Sequence, residues 1–338
     1  MSRHFAYTLA VPQAALDDGG NGATLAIDYV RWQHLASYLD TVDQLPAQFG
    51  ADQPELGAAI GKLRHEVERF GSPRRARALL LGAAPGRPAT IPPDPYAGLV
   101  WWIQRLQVAA ASVVTILQKE IDAGNAGGDV KQRLESLSNI AATIRTDIQP
   151  LTEALASFKA ALTGANRDLA AAANASAGVL QQMQEQVGAA HVQITSLENR
   201  IASLGILEGH KKPEMMRTLA AMKADLEASR ARAEEMRLQH GMIETILGHG
   251  AWLEGALGAM AIFLEKSRGA WTNFGSGVAQ LAADATAEQL ADTAYIDQKL
   301  NRADAIVQWS ALDMAAQEFA AQAMAAGSDA APKKGYKK

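Results

Sequence analysis

The chain has 338 residues, of which 48% are hydrophobic and only 6% aromatic, an alanine-rich composition that suits closely packed helices. Its formal net charge of −4 argues against a general nucleic-acid binder, which presents a basic face. The absence of cysteine excludes disulfides, thiolate catalysis and cysteine-ligated zinc.

Prolines divide the first third of the chain, because most of the 12 prolines precede Tyr96. The patterns predict helices over residues 24–44 and 54–69, and a third from the Ser72-Pro73 cap to Gly82. The proline-rich residues 82–95 form a linker that cannot be helical.

A strongly apolar helix is predicted from Tyr96 to Asp122, capped by Asp94 and ended by Gly124. Apolar residues surround most of its circumference, so we expect it inside a helical bundle. Even so, no uncharged apolar run in the sequence reaches the ~18–20 residues of a membrane-spanning helix.

Two very long amphipathic helices are predicted between Gly128 and Gln298, with one break at residues 205–209. Their apolar residues alternate steps of three and four, the seam of a coiled coil. At 1.5 Å per residue, an arm of about 75 residues would span roughly 110 Å. The seam consists of Leu137, Ala141, Ile144, Ile148, Leu151, Leu155, Phe158, Leu162, Ala165, Leu169, Leu180, Met183, Val187, Ala190, Ile194, Leu197, Ile201 and Leu204 in the first arm, and Met215, Leu219, Met222, Leu226, Ala233, Met236, Ile243 and Leu247 in the second.

The last helix is predicted to open at a capping box, Thr286 to Gln289, and to run to about Ala326. No strand pattern is present, so the predicted fold is all-α: an elongated helical bundle with a long antiparallel coiled-coil hairpin stalk. We expect four regions. They are short helices and a linker over residues 1–94, a bundle over 95–165 and 245–326, a stalk over 166–244 with its tip at 204–213, and a disordered basic tail over 327–338.

Catalytic and metal motifs are weak. The segment from Gly57 to Leu63 lacks the spacing and hydroxyl of a phosphate loop, and His240, Glu244 and His249 lack the spacing that puts two metal ligands on one helical face. We therefore predict no enzyme activity, no metal site and no cofactor.

The hairpin tip is the first candidate site. Aliphatic residues next to lysines suit a surface that touches lipid headgroups or a partner, although these residues could equally close the last layer of the seam. The candidate residues are Ile201, Leu204, Ile206, Leu207, Lys211, Lys212, Met215 and Met216.

A glycine-laced apolar segment is the second candidate, because each interior glycine costs a helix roughly 1 kcal/mol relative to alanine. Either these glycines pack unusually close to neighbouring helices, or the segment is a hinge that rearranges on assembly. They are Gly248, Gly250, Gly255, Gly258, Gly269, Gly275 and Gly277.

The layout over residues 95–326 resembles the cytolysin A superfamily of α-helical pore-forming toxins, in particular the xenorhabdolysin-type binary and haemolysin BL-like multi-component toxins. The stretch Trp271-Thr-Asn-Phe-Gly-Ser-Gly-Val-Ala-Gln-Leu looks like the region of such proteins where a tryptophan opens a bundle helix. The resemblance implies a soluble, secreted subunit that assembles with a second, co-encoded helical toxin component on a target-cell membrane.

Neither the tip nor the glycine segment is as apolar as the inserting elements of that family, so this chain would be a partner subunit or would expose a small membrane segment only on assembly. Without a signal peptide in the sequence, secretion would use a non-classical route. The rival interpretation is a coiled-coil scaffold or spacer that stays in the cytoplasm.

Overall fold

The computed structural model describes residues 16–17, 24–25, 29–45, 53–81, 90–120, 127–203 and 211–325, and these are almost entirely helical. The prediction of an all-α chain with two long helices is confirmed. The helices are α1 (Tyr29–Asp43), α2 (Pro54–Phe70), α3 (Pro73–Leu81), α4 (Pro95–Thr115) with a π-helical end (Ile116–Glu120), α5 (Gly127–Ser203), α6 (Lys212–Asp284), α7 (Ala287–Ala291), α8 (Thr293–Leu300) and α9 (Arg302–Ala325).

A short strand pair precedes the first helix, contrary to the sequence prediction. Strand β1 (Leu16–Asp17) pairs antiparallel with β2 (Thr24–Leu25), so α1 begins at Tyr29 rather than at residue 24.

The last predicted helix is broken into three. The capping box at its start is confirmed, because Gln289 N donates to Thr286 Oγ1 at 3.2 Å and Thr286 N donates to Gln289 Oε1 at 2.9 Å. Asp292 then ends α7 and caps α8 by accepting from Ala294 N. Asn301 has a left-handed backbone with φ of 46°, which ends α8 before α9 begins. Asparagine tolerates that conformation better than most residues, and the periodicity of the apolar residues does not reveal it.

The chain divides into two compact units. One consists of Met1–Gln44, His65–Leu162 and Ala251–Lys338, and the other of Leu45–Arg64 and Thr163–Gly250. Helices α5 and α6 therefore contribute residues to both units.

The first unit is built around α4, which packs most extensively on α9. Aromatic side chains form its core: Trp102 is fully buried and donates through Nε1 to the Ile144 carbonyl at 3.4 Å. Phe70 stacks on Phe158 with ring centroids 3.9 Å apart. Trp271 lies 5.3 Å from Trp309, ring centroid to ring centroid.

The second unit contains the antiparallel arms of α5 and α6 together with the first part of α2. Lys223 Nζ lies 2.6 Å from Glu198 Oε1, and Arg230 Nη2 lies 3.5 Å from His191 Nδ1, so residues later in α6 pair with residues earlier in α5. Lys62 of α2 forms an ion pair with Asp168 of α5.

Burial along the predicted seam differs between its two parts. The seam residues of α5 from Leu137 to Leu169 are all buried. Beyond Leu169, many predicted seam positions are only half-buried, while Ile194, Leu226 and Met236 remain buried. A seam between two helices covers less of each side chain than a bundle does, which explains the difference.

Two helical stretches in the described residues are long and apolar enough, by length and composition alone, to cross a bilayer: Pro95–Lys119 and a window within Lys212–Asp284. This corrects the expectation that no segment would qualify, because these windows tolerate an occasional charged residue. Buried residues make up 56% of the first window and 41% of the second. The apolar character of Pro95–Lys119 is explained by the position of α4 in the core of the first unit.

Candidate functional site

The described part of the tip has one buried apolar residue and an exposed cationic face. Ile201 is 9% exposed near the end of α5. Lys211 and Lys212 are exposed at the start of α6, Met215 is half-buried and Met216 is 54% exposed. Leu204, Ile206 and Leu207 lie outside the described residues.

The glycine segment belongs to one uninterrupted helix, since α6 runs from Lys212 to Asp284. Trp271 therefore lies within a helix and does not open one, which corrects the sequence interpretation of that motif. The division between the two units crosses α6 between Gly250 and Ala251, inside this segment.

Close packing accounts for some of the glycines. A Cβ on Gly275 would lie 3.0 Å from Ala141 Cβ, and Ser138 Oγ donates to the Gly275 carbonyl at 3.1 Å. A Cβ on Gly250 would overlap the side chain of Asn166, which is 9% exposed. These two glycines let α5 and α6 approach each other.

The other glycines have no such explanation. A Cβ on Gly248, Gly255, Gly269 or Gly277 would meet nothing within 4 Å outside the local helix, and one on Gly258 would meet only the Lys159 Nζ, the mobile end of a side chain, at 3.1 Å. Alanine would fit at these positions and strengthen the helix. The sequence therefore weakens α6 where packing does not require it.

Apolar side chains are exposed in the same segment. Trp252 is 42% exposed, with its ring 4.7 Å from that of His34, and Ile262 is 58% exposed. Glu254 is the only acidic or basic residue, histidine aside, between Glu244 and Glu265. The segment thus combines apolar character, partial exposure and a glycine-weakened helix.

Two carboxyl groups of the first unit have raised pKa values: Asp94, which is buried, and Asp40, which is half-buried. Burial raises the pKa of Asp94 to about 6, and the nearby Arg75 guanidinium opposes the shift. Burial likewise raises the pKa of Asp40 to about 6, against the opposing charge of Arg74. Asp94 is the N-cap residue of α4, but contrary to expectation its side chain accepts no capping hydrogen bond.

A catalytic centre does not emerge from the described residues. They contain no cluster of three or more His, Asp or Glu side chains placed to bind a metal ion. His240 instead pairs with Glu244 within α6, at 3.4 Å from Nε2 to Oε1. An open polar groove in the first unit contains Arg145 and Arg268, but Glu265 neutralises Arg268 at 2.8 Å.

A second row of residues on α6 has the same spacing as the buried seam but faces solvent. We call it the α6 outer seam. Leu238 is 59% exposed and Met242 is 42% exposed. Its steps of three and four are present in the sequence on the face of the helix opposite the buried seam. The α6 outer seam consists of Ala221, Ala224, Ala228, Ala231, Glu235, Leu238, Met242 and Thr245.

Comparison with known proteins finds similarity in solved structures alone: no family model matches the chain, and no curated protein matches it. Soluble AhlC of the tripartite α-pore-forming toxin AHL from Aeromonas hydrophila has 14% identity and a TM-score of 0.47, with 85% of this chain and 96% of that chain covered. The Bacillus cereus HblL1 toxin component has 11% identity and a TM-score of 0.47, with 93% and 98% covered. Soluble SmhB of the tripartite toxin Smh from Serratia marcescens has 14% identity and a TM-score of 0.47, with 89% and 91% covered.

The resemblance predicted from the helix layout is confirmed at the level of the helical fold: the similar solved structures are components of toxins. The similarity is one of helical fold, and at this level of identity it assigns no role to any residue of this chain.

Proposed function

We propose that the chain is a soluble subunit of a multi-component α-helical pore-forming toxin, which assembles with a second helical component on a target membrane. The observation that supports this function best is the glycine segment of α6. It is an apolar, partly exposed helical stretch, and most of its glycines are not required by packing.

A soluble subunit that converts to a membrane-bound form needs a segment with two acceptable conformations of similar free energy. Glycines that face open space lower the stability of the helix without improving any contact. They therefore bring the free energy of the helical conformation closer to that of the alternative conformation. A static spacer has no need of this weakening. The glycine segment therefore favours the converting subunit.

The tip would supply the first membrane contact. Lys211 and Lys212 are exposed beside the exposed Met216. Each lysine near an anionic bilayer contributes about 1 kcal/mol. Two lysines and one methionine give weak binding by a single chain, so stable attachment requires many copies or a partner.

The experiment that tests the function is dye release from vesicles of phosphatidylcholine and phosphatidylserine, with the chain alone and together with a candidate second component, a helical protein encoded by a neighbouring gene. We expect release only when both proteins are present. No binding and no release under either condition would contradict the proposed function.

The role of the tip is tested by replacing Lys211 and Lys212 with glutamine. At about 1 kcal/mol per lysine, the double variant should bind phosphatidylserine vesicles roughly 30-fold more weakly. A matched control replaces Lys131 and Lys266, which are also exposed but lie in the first unit. Equal weakening by both double variants would show a general charge effect and rule out a specific tip.

A coiled-coil scaffold is the second candidate function, and the α6 outer seam favours it because an exposed seam suits a permanent helical partner. A scaffold would form a stable oligomer in dilute solution and would not change when vesicles are added. Light scattering coupled to size exclusion, with and without vesicles, separates the two functions.

A further inference from the structure

The open polar groove of the first unit lies between α5 and α6 and has the size of a small-molecule site. Its volume is about 640 Å³, within the range of roughly 300–1,000 Å³ that is typical of ligand pockets. Among the described residues that line it, none has an apolar side chain, so a lipid tail or an aromatic ring finds no contact there. The groove is lined by two threonines together with Arg145 and Gln149 of α5 and Glu265, Arg268, Gly269 and Asn273 of α6.

The lining has one more positive than negative charge. The hydrogen bond from Ser138 Oγ to the Gly275 carbonyl fixes how the antiparallel helices α5 and α6 are paired. About seven residues further along each helix, Arg145 and Arg268 are at roughly the same level. Glu265 Oε2 lies 2.8 Å from Arg268 Nη2, whereas Arg145 has no ion pair or hydrogen bond within the described part of the chain. One positive charge is therefore available to a ligand that has one negative charge.

The amide side chains of the groove can bind hydroxyl groups. Asn273 is exposed, and within the described ranges its side chain has no hydrogen-bond partner. Gln149 Nε2 donates to Glu153 Oε1 at 3.0 Å, which leaves the carbonyl oxygen of Gln149 able to accept. A hydroxyl group both donates and accepts hydrogen bonds, as an amide side chain does. The groove therefore matches a ligand with several hydroxyl groups.

A glycine keeps the α6 side of the groove open. Gly269 is exposed, and a Cβ there would meet nothing within 4 Å. Glu265 and Asn273 lie four residues before and after it, on the same face of the helix. A long side chain at position 269 would project between them and occupy the groove. An open groove thus accounts for a glycine that helix packing does not require.

We propose that this groove binds a sugar that has a single carboxylate, such as a sialic acid or a hexuronic acid. The sugar carboxylate pairs with Arg145, because a guanidinium group holds a carboxylate through two parallel hydrogen bonds. The hydroxyl groups of the sugar bind Asn273, Gln149 and Glu265. A phosphate monoester has about 1.5 to 2 negative charges at pH 7, which exceeds the single positive charge available.

The inferred binding goes beyond the proposed function, because it requires neither a bilayer nor a second toxin component. A surface that displays acidic sugars would bring the soluble chain close to it before any assembly. Binding to a free sugar in solution can therefore fail while vesicle leakage succeeds, and the reverse also holds.

The test is a titration of the full chain followed by saturation-transfer NMR of the ligand. The probes are the methyl glycosides of N-acetylneuraminic acid and of glucuronic acid, with neutral methyl glucoside and inorganic phosphate for comparison. An open groove covers only part of a sugar, so we expect a dissociation constant on the order of 1 mM for at least one acidic sugar. The stronger of the two identifies the kind of acidic sugar, and the neutral glucoside should not bind.

A charge variant tests the role assigned to Arg145. Arg145→Gln removes the partner of the carboxylate and should weaken binding by roughly tenfold or more, because hydrogen bonds between charged groups are the strong ones. The control Lys131→Gln removes the same charge from an exposed position on α5 outside the groove, and it should leave the dissociation constant unchanged.

A steric variant tests the groove itself. Gly269→Leu should fill the α6 side of the groove and abolish binding. The control Gly255→Leu adds the same side chain at an exposed position of α6 with equally open surroundings, outside the groove. Circular dichroism checks that each variant is folded. If a leucine variant does not fold, Arg145→Gln decides the proposal, since it changes only an exposed side chain.

Binding of an acidic sugar that is lost in the two groove variants and kept in their controls supports the proposal. Four results would overturn it: no binding of either acidic sugar, equal binding of the neutral glucoside, displacement of the acidic sugar by an equal concentration of phosphate, or equal weakening in a groove variant and its control. The first two exclude an acidic-sugar site, the third shows a general anion site, and the fourth places the binding elsewhere on the chain.

Discussion

The hinge interpretation of α6 can be tested by strengthening the helix without touching its packing. Gly255, Gly269 and Gly277 are replaced together by alanine. The added Cβ atoms meet nothing within 4 Å, so the variant should fold without steric cost. The control replaces Gly61, Gly188 and Gly241, which have equally open surroundings in helices outside the glycine segment.

The expected magnitude follows from helix propensity. Each substitution should stabilise its helix by roughly 0.5–1 kcal/mol, so each triple variant gains about 1.5–3 kcal/mol of unfolding free energy. If assembly requires α6 to bend in the glycine segment, the added helix stability of the hinge variant opposes bending. The change from the soluble to the assembled form then becomes less favourable by the same free energy. Since 1.4 kcal/mol corresponds to a factor of ten, its vesicle leakage should fall about 10- to 100-fold.

The assay combines urea unfolding of the soluble chain with dye release in the presence of the second component. We expect both triple variants to be more stable than the wild type, and only the hinge variant to lose leakage. Equal leakage by the two variants would refute the hinge and leave the glycines as neutral features of a static helix.

Two further predictions concern the stability of the first unit. Because burial holds the pKa of Asp94 at about 6, its protonated form is favoured in the folded state, and the associated stability is lost as pH rises through that value. Asp94→Asn should therefore raise the unfolding free energy near pH 7, measured by urea titration, by about 1–3 kcal/mol and reduce the gain on acidification to about pH 5. The control Asp225→Asn removes an exposed carboxylate and should leave the unfolding free energy near pH 7 unchanged. Gly71 has φ of +93° and a Cβ there would overlap the Asp94 carboxyl, so Gly71→Ala should destabilise the chain by about 2–4 kcal/mol. The control Gly61→Ala, at an open helical position, should be neutral or stabilising; both variants are measured by thermal melting. A similar loss of stability in both variants would contradict the steric reasoning.

Local sequence signals predicted most helices well. Helix α2 was expected over residues 54–69 and runs from Pro54 to Phe70, and the capping box at Thr286 forms as its residue spacing required. These features depend on neighbours a few residues apart, which the sequence displays directly. The breaks at Asp292 and Asn301 were missed because alanine-rich periodicity continues across them.

The candidate sites were predicted less completely. The seven glycines were recognised as unusual, but the sequence could not separate Gly250 and Gly275, which contact α5, from those that face open space. The roles of the glycine segment and of the tip stay predictions. The sequence prediction did not include the α6 outer seam, because it considered only one apolar face of this helix and the outer seam lies on the opposite face.

By itself, the sequence determined that this chain is all-helical, that two long helices run antiparallel around a short break, and that their seam has coiled-coil spacing. Periodicity and capping are properties of single helices, so they can be read without a partner. Only the tertiary structure decided which glycines are needed for close approach, which carboxyl groups lose their solvent, and which apolar residues remain exposed. Each of these three properties depends on which residues of the neighbouring helix lie at the same level. The spacing of residues along the sequence does not give that information.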